Sequence, residues 1–74
     1  MDERELKARL SQEDPEFQQV VQQHQECEKR LDELGHKSFL TDEEEQEEKA
    51  LKKRKLILKD KMYVMMTRYQ KSRD

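Results

Sequence analysis

Two histidines and one cysteine are the residues of this chain whose types best suit metal binding. His24 and Cys27 are three positions apart, so a helix would place both on one face. Metal sites built from Cys and His usually need four such ligands, and only His36 remains to join them. We therefore expect no metal site and interpret His24 and Cys27 as packing residues.

A basic run in the second half of the chain has side chains that could contact phosphate. It reads LKKRKLILKDKM and spans Leu51 to Met62. The candidate phosphate contacts are Lys52, Lys53, Arg54, Lys55 and Lys59. An acidic pI near 5.7 and an aromatic content of 5% argue against nucleic acid as the ligand. Nucleic-acid binding is therefore the alternative hypothesis, in which the chain would be an accessory protein that uses this basic face.

Other kinds of chemistry find little support in the sequence. No nucleophile and base stand at a useful spacing, and a single Gly cannot form a glycine-rich phosphate loop. No apolar run approaches the roughly 18 residues that a membrane span needs. The opening MDERELKARL lacks the apolar core of a signal peptide, and the lone cysteine cannot form an internal disulfide. We expect a soluble cytoplasmic protein with no enzyme activity, no cofactor and no membrane contact.

The composition is typical of long helices that are largely exposed to solvent. Charged residues make up 46% of the chain, which has one Gly and one Pro. Its 74 residues allow one small domain, 1–74. A chain this short buries only a modest core unless it is crosslinked or assembles with a partner. Oligomerisation is therefore one of the alternatives that the size of the chain raises.

The proline and the glycine mark the ends of a predicted helix A over residues 15–34. Asp14 followed by Pro15 is a typical N-cap with proline at the first helical position. Gly35 is expected to end the helix in the left-handed conformation. Between them, one apolar stripe recurs at steps of three and four: Phe17, Val20, Val21, His24, Cys27, Leu31 and Leu34.

A second predicted helix, helix B, follows a connection over residues 35–41 and covers residues 42–70. Thr41 and Glu44 have the spacing of a capping box, and the acids after Thr41 suit the positive end of a helix dipole. Its stripe consists of Leu51, Leu58, Met62, Met65 and Tyr69. A short connection favours antiparallel neighbours, so the two stripes should meet as one seam.

Residues 2–11 are a candidate third helix, shorter than the other two. Leu6 and Leu10 are four positions apart and would share one face of it. Helix B is longer than helix A, so its end near Met65 and Tyr69 needs a cover. We expect this N-terminal segment to supply it.

Charge is unevenly distributed, with a net −10 over residues 1–48 and a net +8 over residues 49–74. An antiparallel pair would lay these parts side by side. The acids of helix A expected beside helix B are Glu16, Glu26, Glu28, Asp32 and Glu33, and the facing bases are Lys49, Lys52, Arg54 and Lys59. Lys55 is further expected to reach Glu28 along the edge of the seam.

A second apolar face on helix B predicts self-association. Leu56, Ile57, Tyr63 and Val64 lie about 120–240° around the helix from Leu51. One partner helix cannot cover both faces, so we favour a homodimer that forms a four-helix bundle. A monomer, or pairing with a different protein, is the alternative.

Two segments of the chain resemble the small YdcH-like bacterial proteins, a family of unknown function. LKKRKLILKDKM is similar to the L-K-K-x-K-L-x-L-K-D-E-[MI] segment in the second helix of that family. DPEFQQVVQQH resembles the first-helix pattern of the family, [ND]-P-x-F followed by an apolar pair and a histidine. The chain departs from the pattern at Cys27, where the family has Leu, and at Lys61, where it has Glu. The resemblance covers Asp14 to Thr67 and implies a helical hairpin, with no activity attached to it.

Together these features predict an all-α fold: an antiparallel, coiled-coil-like two-helix hairpin with a candidate short N-terminal helix, which dimerises into a four-helix bundle. The predicted role is that of a small interaction or adaptor protein. A protein partner would meet helix B or the acidic tract 42–48.

Overall fold

The computed structural model describes residues 2–73, except for the side chain of Arg73. Within that range the fold is all-α, with three helices and no strand: α1 (Glu3–Glu13), α2 (Pro15–Gly35) and α3 (Asp42–Arg73). Met1 and Asp74, the two ends of the predicted domain 1–74, lie outside the described residues. The molecule is elongated and measures 49 × 19 × 16 Å.

A single residue, Asp14, joins α1 to α2. Its backbone N–H donates to the carbonyl oxygen of Leu10 at 2.8 Å and so ends α1. Its side-chain Oδ1 accepts from the backbone N–H groups of Glu16 at 3.0 Å and Phe17 at 3.4 Å, which begins α2. The predicted cap is confirmed. Because Asp14 serves both helices, the chain reverses there without a loop.

The end of α2 differs from the prediction. Gly35 is the last residue of the helix and does not adopt a positive φ. The helix ends instead at His36, which has φ −87° and ψ −7°, still in the right-handed region. The backbone N–H groups of His36 and Lys37 donate to the carbonyl oxygens of Glu33 and Leu34 at 3.3 and 3.2 Å. These tighter bonds satisfy terminal carbonyls, so a left-handed glycine is not required.

The start of α3 is a reciprocal cap, as the sequence predicts. The backbone N–H of Thr41 donates to Oε1 of Glu44 at 3.0 Å. The backbone N–H of Glu44 donates to Oγ1 of Thr41 at 3.1 Å. Two donors that the helix cannot satisfy internally are thereby paired.

Helices α2 and α3 lie side by side in opposite directions. Glu16, near the start of α2, lies 3.7 Å from Lys61 late in α3, and Arg30, late in α2, lies 2.7 Å from Glu47 early in α3. The buried cluster between the helices contains Leu10, Phe17, Val20, Cys27, Leu58 and Met62, with Val21, Leu51, Met65, Met66 and Tyr69 packed against it. Every residue assigned to the seam from the sequence is buried or half-buried.

Helix α1 folds back against the last part of α3. Its buried side chains are Leu6 and Leu10. The hydroxyl of Tyr69 donates to a carboxylate oxygen of Glu13 at the C-terminal end of α1. At the other end, Glu3 and Lys7 line a groove together with Tyr63 of α3. The predicted N-terminal helix therefore forms, and one end of the molecule is a three-helix bundle.

No helix among residues 2–73 is both long enough and apolar enough to span a bilayer.

We expect Phe17→Ala to lower the free energy of unfolding by about 3–5 kcal/mol, because a fully buried aromatic ring would leave a cavity. Phe17 is 0% exposed and packs where α2 meets α3. The measurement is urea unfolding followed by far-UV circular dichroism. Phe39→Ala is the matched control, since Phe39 is 90% exposed and its truncation should change stability by less than about 0.5 kcal/mol. Equal losses in the two variants would contradict this core assignment.

Candidate interaction surface on the third helix

The side of α3 that faces away from the core carries a patch of large apolar side chains. Leu56, Ile57, Tyr63 and Val64 are between 45% and 72% exposed. Leu58 and Met62 of the same helix lie on the opposite side and are buried in the core. Lys49, Lys53 and Asp60 share the exposed side, and we call these seven residues the outer face. The structure places the predicted self-association residues together on it.

Polar contacts near the start of α3 join this helix to α2. Arg30 of α2 holds Glu47 with two parallel bonds, Nε to Oε2 at 2.7 Å and Nη2 to Oε1 at 2.9 Å. Its Nη1 donates to Glu33 at 3.1 Å. Glu47, and then Glu33, hold the pKa of the Arg30 guanidinium above its usual value, and Arg30 lowers the pKa of the Glu47 carboxyl.

The structure corrects the predicted ion pairs between the two long helices. Glu28 contacts Nδ1 of His24 at 2.8 Å, and within residues 2–73 no ion pair joins Glu28 to Lys55, which is half-buried. Lys52 lies 3.6 Å from Glu48 of its own helix. Residues four apart on one helix are already neighbours, so these ion pairs form within a helix and not across the seam.

Among the described ion pairs, only two join α2 to α3. Glu16 of the predicted acids reaches α3, at Lys61 rather than at a predicted base. The pair of Arg30 with Glu47 was missed, and its sign is the reverse of the predicted one, with the base on α2. The antiparallel register could have predicted this pair. Arg30 lies 14 residues after Glu16 on α2, and Glu47 lies 14 residues before Lys61 on α3, so both pairs fit the same register.

The basic residues considered for phosphate do not form one surface. They are Lys52, Lys53, Arg54, Lys55 and Lys59. Successive residues of a helix project about 100° apart, so four adjacent bases surround the helix. Lys53 lies on the outer face, whereas Lys55 is half-buried at the edge of the core. Lys52, Lys55 and Lys59, at steps of three and four, project within about 60° of one another, whereas Lys53 and Arg54 project to other sides of the helix.

The residues considered for metal binding are also separated. Cys27 is buried in the core, and Nε2 of His24 is buried without a hydrogen-bond partner. His36 lies about 18 Å farther along the helix axis, where its Nδ1 is 2.7 Å from the carbonyl oxygen of Asp32, a contact that raises the pKa of His36. Across residues 2–73, no group of three or more His, Cys, Asp or Glu is placed to hold a metal ion.

We expect the carboxyl of Glu44 to titrate with a pKa of about 2, because Lys37 contacts it and the backbone N–H of Thr41 donates to it. Since that value lies below the ordinary 4.5, the contact stabilises the fold fully above pH 4.5, and the contribution is lost as the pH falls through about 2. An NMR titration of the side-chain carboxyl carbon measures it.

Lys37→Met should move that titration toward the ordinary value, and Lys71→Met, at the far end of α3, should leave it unchanged. A wild-type midpoint near 4.5 would show that the contact does not form in solution.

The comparisons with known proteins identify a family. The family model described as protein of unknown function (DUF465) matches residues 17–66, which include most of α2, the connection and α3 as far as Met66. Comparison with curated proteins and with solved structures gives no match. The matched segment is more than half of the chain, and the YdcH-like resemblance read from the sequence is the same family. The chain therefore belongs to the DUF465 family of proteins of unknown function.

Proposed function

We propose that this protein is a small self-associating interaction module whose copies pair through the outer face of α3. The observation that carries the proposal is the cluster of four large apolar side chains exposed on one side of that helix. Contiguous apolar patches on soluble proteins usually mark interaction sites. If this patch stayed in water, the protein would not gain the free energy of burying Leu56, Ile57, Tyr63 and Val64.

The shape of the molecule suits pairing along helices. In α3, 32 residues at about 1.5 Å each extend for about 48 Å, which matches the longest dimension of the molecule, 49 Å. In the proposed dimer, α2 and α3 of each copy act as an antiparallel hairpin with coiled-coil-like packing. Two such hairpins joined at α3 form a four-helix bundle.

The role that follows is that of an adaptor. Self-association through the outer face leaves Glu43 and Glu45 exposed in a dense acidic tract at the start of α3. A protein partner with a basic surface is the natural ligand for such a tract. We place this adaptor in the cytoplasm, where the thiol of Cys27 remains reduced.

We expect the wild-type protein to form a homodimer in sedimentation velocity experiments, and Ile57→Glu to weaken the dimer at least tenfold, because it replaces an apolar side chain of the contact with a carboxylate that must lose its hydration. A tenfold change corresponds to about 1.4 kcal/mol. Helix content should not change, since Ile57 lies outside the core.

Phe39→Glu is the matched control, because it places the same carboxylate at an exposed apolar residue outside the outer face. It should leave the dimer intact. A wild-type protein that sediments as a 9.1 kDa monomer even at high micromolar concentration would overturn the proposal, as would equal losses in the two variants.

A further inference from the structure

We infer that two copies of the chain pair antiparallel along α3, about a two-fold axis that passes between Leu56 and Ile57, with Lys53 of each copy opposite Asp60 of the other. The inference rests on the proposed self-association. It adds the orientation, the register and the charged residues that select them.

Charged and apolar residues alternate along the centre of the exposed side of α3. At about 100° per residue, Lys53 and Asp60 fall within about 20° of the same line, and Leu56 and Ile57 lie between them on either side of it. The same line extends back to Asp42 and forward to Lys71. From start to end its order is acid, two bases, apolar pair, acid, apolar pair, base.

A two-fold contact of this surface with itself pairs each residue reciprocally. When Leu56 is set opposite Ile57 of the second copy, Lys53 falls opposite Asp60, and Asp42 falls opposite Lys71. Gln46 falls opposite Thr67, and these two side chains can hydrogen-bond. Symmetry repeats each of these matches, so Lys53, Asp60, Asp42 and Lys71 each meet the opposite sign.

Apolar burial supports the same register. Leu56 and Ile57 from both copies form a cluster of four side chains around the axis. Farther out, Val64 lies at the level of Lys49 of the second copy, whose aliphatic stem can cover it.

Other arrangements of the same surface place like charges together. Parallel pairing sets Lys53 against Lys53 and Asp60 against Asp60. An antiparallel axis at Asp60 faces two carboxylates and brings Lys49 opposite Lys71, and an axis at Lys53 faces two ammonium groups. Like charges in an interface cost several kcal/mol, so they exclude wrong registers even where the attractive pairs add little affinity.

An axis between Tyr63 and Val64 avoids direct repulsion but places charged residues opposite neutral or apolar ones. It sets Asp60 opposite the neutral Thr67 and Leu56 opposite Lys71. Asp60 then loses its opposite charge. The register centred on Leu56 and Ile57 is the one that satisfies the apolar cluster and the charges together.

The test is a charge exchange measured by sedimentation at low ionic strength, where such pairs are least screened. Lys53→Glu alone sets Glu against Asp60, and Asp60→Lys alone sets Lys against Lys53. Each single variant should self-associate at least fivefold more weakly than wild type. The double variant, with both charges reversed, should return to within about twofold of wild type.

Mixing the two single variants is the sharper measurement. In the heterodimer, Glu at position 53 meets Lys at position 60, and Asp60 meets Lys53, so both contacts become attractive. The mixture should form a heterodimer more tightly than either variant forms a homodimer. Arg54→Glu, an exposed reversal off the outer face, is the control that should leave association unchanged.

The outcomes separate the two proposals. A wild-type dimer with no rescue in the double variant or the mixture would overturn this register and leave self-association standing. A wild-type monomer would overturn both. Rescue in both experiments, with an unaffected Arg54→Glu control, would establish the antiparallel contact.

Discussion

Helix α3 has large apolar residues on two opposite sides, and the chain has enough other helix to cover only one of them. The core side takes Leu58 and Met62 against α2, and α1 folds back to protect the end near Tyr69. The other side stays in water. The case for self-association follows from this imbalance. A thin helical body with a narrow apolar seam cannot bury more without a second chain.

The sequence predicts the features that depend on near neighbours. Asp14 with Pro15 and Thr41 with Glu44 have the spacing of caps, and both caps form. Stripes at steps of three and four likewise indicate which side of each helix is buried. The family resemblance rests on the same two helices, and the family match covers most of both. The residues of the candidate site are predictable for the same reason, because the side of α3 opposite its seam must be the exposed one.

Features that depend on competition between alternatives were harder to predict. Gly35 is the residue type that usually ends a helix in the left-handed conformation. Here the helix ends without it, through backbone hydrogen bonds to the carbonyl oxygens of Glu33 and Leu34. Glu28 had a plausible lysine across the seam, but His24 lies one turn away on its own helix. The fold-back of α1 was expected from the uncovered end of helix B, but the spacing of Leu6 and Leu10 does not by itself specify which residues they contact. In each case the sequence names the groups involved, and only the three-dimensional arrangement decides which contact is made.

Cys27 is the only thiol of the chain and is 4% exposed, enclosed between the two long helices. A thiol-reactive reagent can therefore reach it only when α2 separates from α3. Under conditions where the helices reclose faster than the reagent reacts, the labelling rate is proportional to the equilibrium constant of that opening. The labelling rate of Cys27 therefore reports how often α2 and α3 separate in the native protein, without an engineered probe.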